Sequence, residues 1–333
     1  MWLALSTHVC ALRRVLVAGL DMAHEPDAQS ERTDRPNSLY RQLTTKVYAH
    51  GCRLGQTLVY SSVYIALIAM TEVAIAMVLL SLPLNIAPVV VGLVTFAVYG
   101  GDRLADADTD AVSNPGQAAF MRRHGDVMYV LVAVSYALAV TLSVLGGPLA
   151  FALAMIPGVF WVLYATDWMP DTGLRVRRLK QVVVLNSAVV ALAWAVTLTF
   201  LPLAFADAPV TPATLVVFGY FFLRSFVDTE IPNVRDVDAD RQTGVATLPV
   251  LLGVRRTRHV LYGVDAGTLV LVGYAAVAGI VPLGLSTALV VGLLYSVGIT
   301  TFVGRFEDEE LLAKLPECEY VFVALTLFTA LGA

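Results

Sequence analysis

Residues 233–250 read Asn-Val-Arg-Asp-Val-Asp-Ala-Asp-Arg-Gln-Thr-Gly-Val-Ala-Thr-Leu-Pro-Val, and residues 102–110 read Asp-Arg-Leu-Ala-Asp-Ala-Asp-Thr-Asp. Each stretch follows a long apolar segment, and its oxygen-bearing side chains step by three or four residues, which on a helix places them along one face. Like charges held this close favour a bound cation, and hard oxygen ligands suit Mg2+ better than zinc or copper. A solvated loop rich in helix-capping residues is the alternative reading, but it has to account for the same pattern occurring twice. The two sets are Asp102, Asp106 and Asp110, and Asn233, Asp236 and Asp240.

The composition places these clusters in an integral membrane protein. Hydrophobic residues make up 58% of the 333 positions and charged residues only 14%, with a mean hydropathy of +0.74, well outside the range of soluble domains. The apolar runs have the length of membrane-spanning helices and lack the alternation of a transmembrane barrel. We therefore predict an all-α membrane protein with about nine transmembrane helices, near residues 58–80, 84–101, 127–145, 147–166, 181–203, 210–228, 259–280, 282–303 and 318–333.

The distribution of Lys and Arg between these segments predicts their orientation. Cations follow the second, fourth and sixth segments, whereas the alternate connections near residues 146–148, 204–212 and 281–286 contain none. By the positive-inside bias, the cation-rich loops, and with them both acidic motifs, lie on the cytoplasmic side of the cell membrane. An odd number of spans then leaves the C-terminus outside.

Residues 1–55 form a separate, polar segment that we expect to be partly disordered. Met1–Leu20 is interrupted by Arg13 and Arg14 and lacks the order of a signal peptide, so a start at Met22 is an alternative. Residues 56–333 form the transmembrane domain. The three cysteines have no close spacing, and neither a zinc site nor a disulfide framework is implied.

Arginines interleave with the acids in both motif loops. Acids alone would bind a metal, whereas acids together with cations can bind a metal and an anion, typically a phosphate. A third basic patch, residues 175–180, lies between the two motifs and has no acids of its own. Direct phosphate contacts and a purely topological role both account for that patch.

With these residues in view, the chain resembles the UbiA superfamily of intramembrane prenyltransferases. That family carries an Asn/Asp-x-x-x-Asp-x-x-x-Asp motif after its second helix, matched by the set that begins at Asp102. Its second motif continues into Arg-x-x-Gly-x-x-Thr-Leu-Pro-Val, matched by residues 241–250. The resemblance runs from about residue 57 to the end. Asp228-Thr229 is similar to the Asn-Thr of a divergent, archaeal-looking branch.

The resemblance implies a UbiA-type helix bundle and a transferase. Each acidic triplet would hold Mg2+ against a prenyl diphosphate, whose carbon–oxygen bond ionises before the polyprenyl group passes to a lipid-soluble acceptor. Candidate acceptors are a quinone precursor, a glycerol phosphate ether lipid, a porphyrin and a carotenoid. Membrane lipids are the other expected partners; no nucleic acid is expected, and the oligomeric state stays open. The side chains expected to bind the diphosphate are Arg103, Arg123, Arg178, Lys180 and Arg241.

Five residues depart from the family pattern. Asp102 stands where many relatives have Asn, and Arg103 where an Asp often follows. Asn233 replaces the usual first Asp of the second motif, which predicts a weaker second metal site because an amide oxygen brings no charge. Asn186-Ser187 stands where many relatives have Lys-Asn, a familiar diphosphate contact.

Two other functions remain as alternatives. A secondary transporter would use intramembrane acids to carry cations, and its acids are expected near mid-span rather than past the span ends. A catalytically weak relative that only binds isoprenoids is the other alternative, because of the change at Asn233.

Overall fold

The computed structural model describes residues 50–51, 53–108, 111, 114–165, 185–306 and 308–332. The predicted N-terminal segment, residues 1–55, lies almost entirely outside the described residues, as do three predicted site residues, Asp110, Arg178 and Lys180. The chain divides into two units between Ser61 and Ser62. The described part of the first unit is helical at Arg53–Tyr60, and the second unit contains the helices described below.

Within the described part of the second unit, nine helices have 14 residues or more, and no strand is present. Each long helix falls on one of the apolar segments, so the all-α prediction is confirmed for this part of the chain. Three short helices lie between them: α7 (Val237–Thr243), α8 (Leu248–Leu252) and α11 (Glu309–Leu312). The long helices are α1 (Val63–Leu79), α2 (Ala87–Ala105), α3 (Pro115–Ser143), α4 (Gly147–Ala165), α5 (Leu185–Ala206), α6 (Pro212–Arg235), α9 (Val254–Val277), α10 (Leu283–Phe302) and α12 (Glu319–Gly332).

Not all of these helices qualify as membrane spans by length and composition. Among the described residues, five helical segments are long and apolar enough, and a sixth qualifies if Arg53–Tyr60 and Val63–Leu79 count as one span. One of the five, Pro115–Leu163, covers both α3 and α4. The chain is thus a multi-pass membrane protein, and the number of nine spans stays a prediction. Two helices fall short for evident reasons, since α6 carries charged residues and α12 has only 14 residues.

The long helices pack into a closed bundle. Helix α1 packs on α2 and α5, α2 on α3 and α4, α4 on α5, and α5 on α6; the second half continues through α9, α10 and α12, which returns to α1. A large apolar core runs through the bundle, and a smaller one packs α6, α9 and α10 together nearer the motif end of α6. Glycines allow close approach at two of these contacts, because a Cβ at Gly92 would overlap Met70 and a Cβ at Gly292 would overlap Val323.

Local signals fix where the helices begin. Helix α3 starts at Pro115 with Asn114 as its cap, whose side chain accepts a hydrogen bond from the Gln117 N–H. Helix α6 starts at Pro212 behind a capping box made by Thr211 and Thr214. The first acidic motif therefore lies at the C-terminal end of α2, just before α3 begins. The second lies at the C-terminal end of α6.

Candidate active site

The first acidic motif lies where α2 ends. Helix α2 stops at Ala105, and Asp106 is its C-cap, with its N–H bonded to the Asp102 carbonyl at 2.9 Å. The Asp102 carboxylate accepts a hydrogen bond from Trp161 Nε1 of α4 at 3.0 Å. Asp108, by contrast, has a 97% exposed side chain. Asp102 and Asp106 are thus half-buried whereas Asp108 is exposed, and Asp110 lies outside the described residues. Because α2 ends at Ala105, the expected single helical face does not extend to Asp106.

The second acidic motif spans a break between two helices. Helix α6 ends at Arg235, and Asp236 caps both that end and the start of α7. The Arg235 guanidinium donates to both Asp236 oxygens, Nε to Oδ1 at 2.8 Å and Nη2 to Oδ2 at 2.7 Å. Asp240 on α7 accepts a hydrogen bond from the Thr247 hydroxyl at 3.2 Å. The Thr-Leu-Pro part of the motif thus orients one of its acids. The expectation of a single helical face was too simple here, because the helix breaks at Asp236.

Asn233 is held in a defined amide orientation. Its Nδ2 donates to Glu230 Oε2 at 3.3 Å and to Ser187 Oγ of α5 at 3.4 Å. Because a carboxylate accepts hydrogen bonds only, this pairing assigns the nitrogen to the Glu230 side and directs Oδ1 away from it. Glu230 itself is 1% exposed. The amide oxygen is therefore the atom that Asn233 offers to a cation.

The predicted diphosphate-binding cations have different surroundings. Arg103 is half-buried at the end of α2, whereas Arg123 is exposed on α3. Arg241 is also exposed, with 55% of its side chain accessible, and it pairs with Asp238 at 3.2 Å. Arg178 and Lys180 lie outside the described residues.

Two cations that sequence reasoning did not select, Arg235 and Lys314, lie near Arg103. Burial lowers the pKa of Lys314, and the neighbouring Arg235 and Arg103 lower it further, against the opposing effect of Glu310. The Lys314 ammonium donates to Glu310 Oε1 at 2.5 Å. The mutual effect of these charges places the C-terminal ends of α2 and α6 and the connection before α12 at one end of the bundle. No motif marks Lys314 in the sequence, since the neighbouring cations Arg103 and Arg235 are distant along the chain.

Tyrosines hold this connection inside the bundle. The Tyr64 hydroxyl lies 3.2 Å from Cys318 Sγ, and the Tyr295 hydroxyl donates to the Leu315 carbonyl at 3.0 Å. Glu317 follows within the same segment. Burial raises its pKa to about 7, Glu319 raises it as well, and Arg103 acts in the opposite direction. An acid with a raised pKa, Glu317, therefore lies near Arg103 at this end of the bundle.

A buried ionic network lies deeper, in the middle of α6. Arg224 is fully buried and donates from Nε to both Glu319 oxygens at 2.9 and 3.1 Å, and from Nη1 to Asp265 Oδ1 at 2.7 Å. Its Nη2 donates to Glu319 Oε2 at 2.8 Å and to the Ser296 hydroxyl. The network ties α6, α9, α10 and α12 together. No sequence motif marks these two buried acids, Asp265 in the middle of α9 and Glu319 at the start of α12.

Aromatic side chains lie in the interior of the bundle near the first motif and beyond the Arg224 network. Tyr99 of α2 stacks on Trp194 of α5 with ring centroids 5.8 Å apart. Tyr220 and Phe221 of α6 are fully buried and meet edge to face at 5.7 Å. These rings lie inside the bundle rather than against lipid.

Known proteins resemble this chain in sequence and in fold. A sequence profile of the UbiA prenyltransferase family matches residues 59–309. The digeranylgeranylglyceryl phosphate synthase of Korarchaeum cryptofilum (strain OPF8) is 25% identical over 208 residues, which is 61% of this chain and 69% of that protein.

Solved structures share the fold. The structure of a UbiA homolog from Archaeoglobus fulgidus bound to GPP and Mg2+ superposes with a TM-score of 0.60 at 14% identity, over 84% of this chain and 99% of its own. The apo structure of a UbiA homolog from Aeropyrum pernix K1 has a TM-score of 0.59 at 15% identity, over 81% of this chain and 98% of its own. The predicted UbiA-type bundle is confirmed.

Proposed function

This chain belongs to the UbiA prenyltransferase family, and from that premise we propose that it transfers a polyprenyl group from a prenyl diphosphate to the hydroxyl of a lipid-soluble glyceryl phosphate. One observation carries the proposal. Oxygen ligands from the ends of α2 and α6 and the cations Arg103, Arg235 and Lys314 belong to the same end of an otherwise apolar bundle. A metal–diphosphate group requires this combination of charges.

The donor atoms at this end fit Mg2+. Every predicted ligand offers a carboxylate or amide oxygen, which is the ligand type that Mg2+ prefers. Among the described residues, no three His, Cys, Asp or Glu side chains converge into a metal cage. Mg2+ at a diphosphate commonly takes only one or two carboxylates, with phosphate oxygens and waters completing its shell. The residues proposed to hold it are Asp102, Asp106, Asp110, Asn233, Asp236 and Asp240.

When bound, Mg2+ would neutralise the negative charge that develops on the departing diphosphate, an effect of several kcal/mol in enzymes of this kind. The side chains of the chain itself have separate tasks. Arg103, Arg235 and Lys314 contact further diphosphate oxygens. Arg235 also fixes the orientation of Asp236 through its paired hydrogen bonds, and Thr247 does the same for Asp240. The stacked rings of Tyr99 and Trp194, one turn inward from Asp102, would exclude water from the allylic cation.

We propose that the site faces the cytoplasm. Cations crowd the motif ends of the helices, and the connections at residues 144–146, 207–211 and 278–282 contain no Lys or Arg. The positive-inside bias then places the motifs in the cytoplasm, nine spans in the cell membrane and the C-terminus outside. Soluble prenyl diphosphate would reach the site from that side.

The glyceryl phosphate acceptor is proposed from the Korarchaeum relative, which is named for a digeranylgeranylglyceryl phosphate product. A phosphate on the acceptor would also give the several cations at this end of the bundle a second anion to bind, besides the diphosphate. The secondary transporter receives less support, because the buried acids Asp265 and Glu319 are engaged by Arg224 rather than open to a passing ion.

The test is product identification. Purified protein is incubated with isotope-labelled geranylgeranyl diphosphate, Mg2+ and either a prenylated glyceryl phosphate or a total lipid extract, and lipids are analysed by mass spectrometry. We expect the label in an ether of the glyceryl phosphate. Label in a quinone precursor, porphyrin or carotenoid would identify that compound as the acceptor and contradict the glyceryl phosphate. Tight binding of the diphosphate without any product would identify an isoprenoid-binding relative.

A further inference from the structure

Asp228 on α6 has one satisfied and one unsatisfied carboxylate oxygen. Its Oδ2 accepts a hydrogen bond from the Tyr320 hydroxyl at 2.9 Å. Its Oδ1 is buried and has no hydrogen-bond partner among the described residues. The side chain as a whole is only 10% exposed. A buried acceptor without a donor is costly, and native proteins nearly always provide one.

The nearest cation does not supply that donor. Arg224 Nη2 lies 3.9 Å from Asp228 Oδ1, too far for a hydrogen bond. The Arg224 donors are instead committed to Glu319, Asp265 and Ser296. Asp228 is therefore held beside the network without being neutralised by a hydrogen bond from it. The missing donor has to come from another molecule.

Asp228 lies at the depth where the acceptor has to react. It precedes Asp236 by eight residues of the same helix, so it lies about 12 Å further into the bundle, and it precedes Asn233 by about 7.5 Å, at 1.5 Å per residue. A prenyl diphosphate held at the Asp236 end would point its first carbon inward. The nucleophile has to approach that carbon from the interior side, where Asp228 is.

A second carboxyl group lies beside this pair. Glu72 of α1 is buried and interacts electrostatically with Asp228. The Tyr320 hydroxyl has a single proton, which it donates to Asp228 Oδ2. Oδ1 is therefore the oxygen of Asp228 that can accept a further hydrogen bond.

We propose that Asp228 Oδ1 accepts the hydrogen bond of the acceptor hydroxyl and takes its proton during transfer. This assignment rests on the proposed function. The bond between the first prenyl carbon and the diphosphate oxygen breaks, and its electron pair leaves with the diphosphate. A lone pair of the acceptor oxygen forms the new carbon–oxygen bond, and the hydroxyl proton passes to Oδ1. The acceptor is accordingly an alcohol that reacts through its oxygen.

The test separates ionisation from transfer. Ionisation is followed without acceptor, by scrambling of 18O between the bridging and non-bridging positions of labelled geranylgeranyl diphosphate. Transfer is followed with a prenylated glyceryl phosphate. For Asp228→Asn we expect transfer to fall at least about 100-fold, the usual contribution of a positioned base, while Mg2+-dependent scrambling changes less than about twofold. An acceptor analogue with a thiol in place of the hydroxyl ionises without a base and should restore most of the lost transfer.

Asp265→Asn is the matched control, because Asp265 belongs to the same Arg224 network but lies on the side of Ser296 and Thr300. We expect it to lower scrambling and transfer in equal proportion. Should Asp228→Asn not accumulate in membranes, Tyr320→Phe gives the same test, with transfer reduced and scrambling retained. Parallel loss of both activities in the Asp228 or Tyr320 variant, or no recovery with the thiol, would overturn the assignment. Wild-type protein that neither scrambles nor transfers would instead contradict the proposed function.

Discussion

Arg224 gives the largest stability effect that the structure predicts. Its side chain is fully buried, as is that of Glu319, and Asp265 is 2% exposed. Replacement by Gln would leave two buried carboxylates without their cation. Breaking a buried pair by removing one partner typically costs about 3 to 5 kcal/mol, because the remaining charge is uncompensated. We expect Arg224→Gln to lower the free energy of unfolding by an amount in this range.

The measurement is equilibrium unfolding in mixed detergent micelles, with Arg241→Gln as the matched control. Arg241 also pairs with an acid, but its side chain is 55% exposed and that of Asp238 is 89% exposed, so its loss should cost less than about 1 kcal/mol. In addition, Glu319→Gln should cost less in the Arg224→Gln background than in the wild type, since the two residues act as a pair. Equal effects of Arg224→Gln and Arg241→Gln would refute the buried network.

Three further predictions concern the metal site, the topology and the acid at Glu317. Asn233→Asp adds a charge where the amide oxygen now points, so the Mg2+ concentration for half-maximal activity should fall, mainly through tighter binding rather than faster chemistry; an unchanged requirement would remove Asn233 from the ligand set. A cysteine at Gln242 should react with impermeant thiol reagents only after the membrane is opened, whereas one at Val210, which is 60% exposed, should react from outside; reversed labelling would invert the orientation. Because the folded protein raises the pKa of Glu317 from 4.5 to about 7, it binds that proton more tightly than the unfolded chain does, and stability should fall as pH rises between these values; Glu317→Gln should flatten this part of the Tm–pH profile, and an unchanged profile would contradict the shift.

Sequence reasoning succeeded where the signal is local. The apolar runs predicted the helices because a membrane-spanning helix satisfies its backbone hydrogen bonds within one continuous apolar segment of the chain.

Sequence reasoning missed the features made by distant residues. Arg224 looks in the sequence like a stray cation near a span end, and its partners Asp265 and Glu319 are 41 and 95 residues away. Lys314 carries no motif and becomes part of the cationic end only because tyrosines hold its segment in the bundle. The break at Asp236 was also missed, because the point where a helix ends inside a polar segment depends on local contacts such as the paired hydrogen bonds between Arg235 and Asp236.

The central claim is that the motif end of the bundle ionises a prenyl diphosphate with Mg2+. The most direct measurement is the release of diphosphate from geranylgeranyl diphosphate over a Mg2+ titration, for the wild type, Asp236→Asn and Asp238→Asn. We predict Mg2+-dependent release that stops with EDTA, is lost in Asp236→Asn and is retained in Asp238→Asn. Full release in excess EDTA, or equal loss in both variants, would contradict the account.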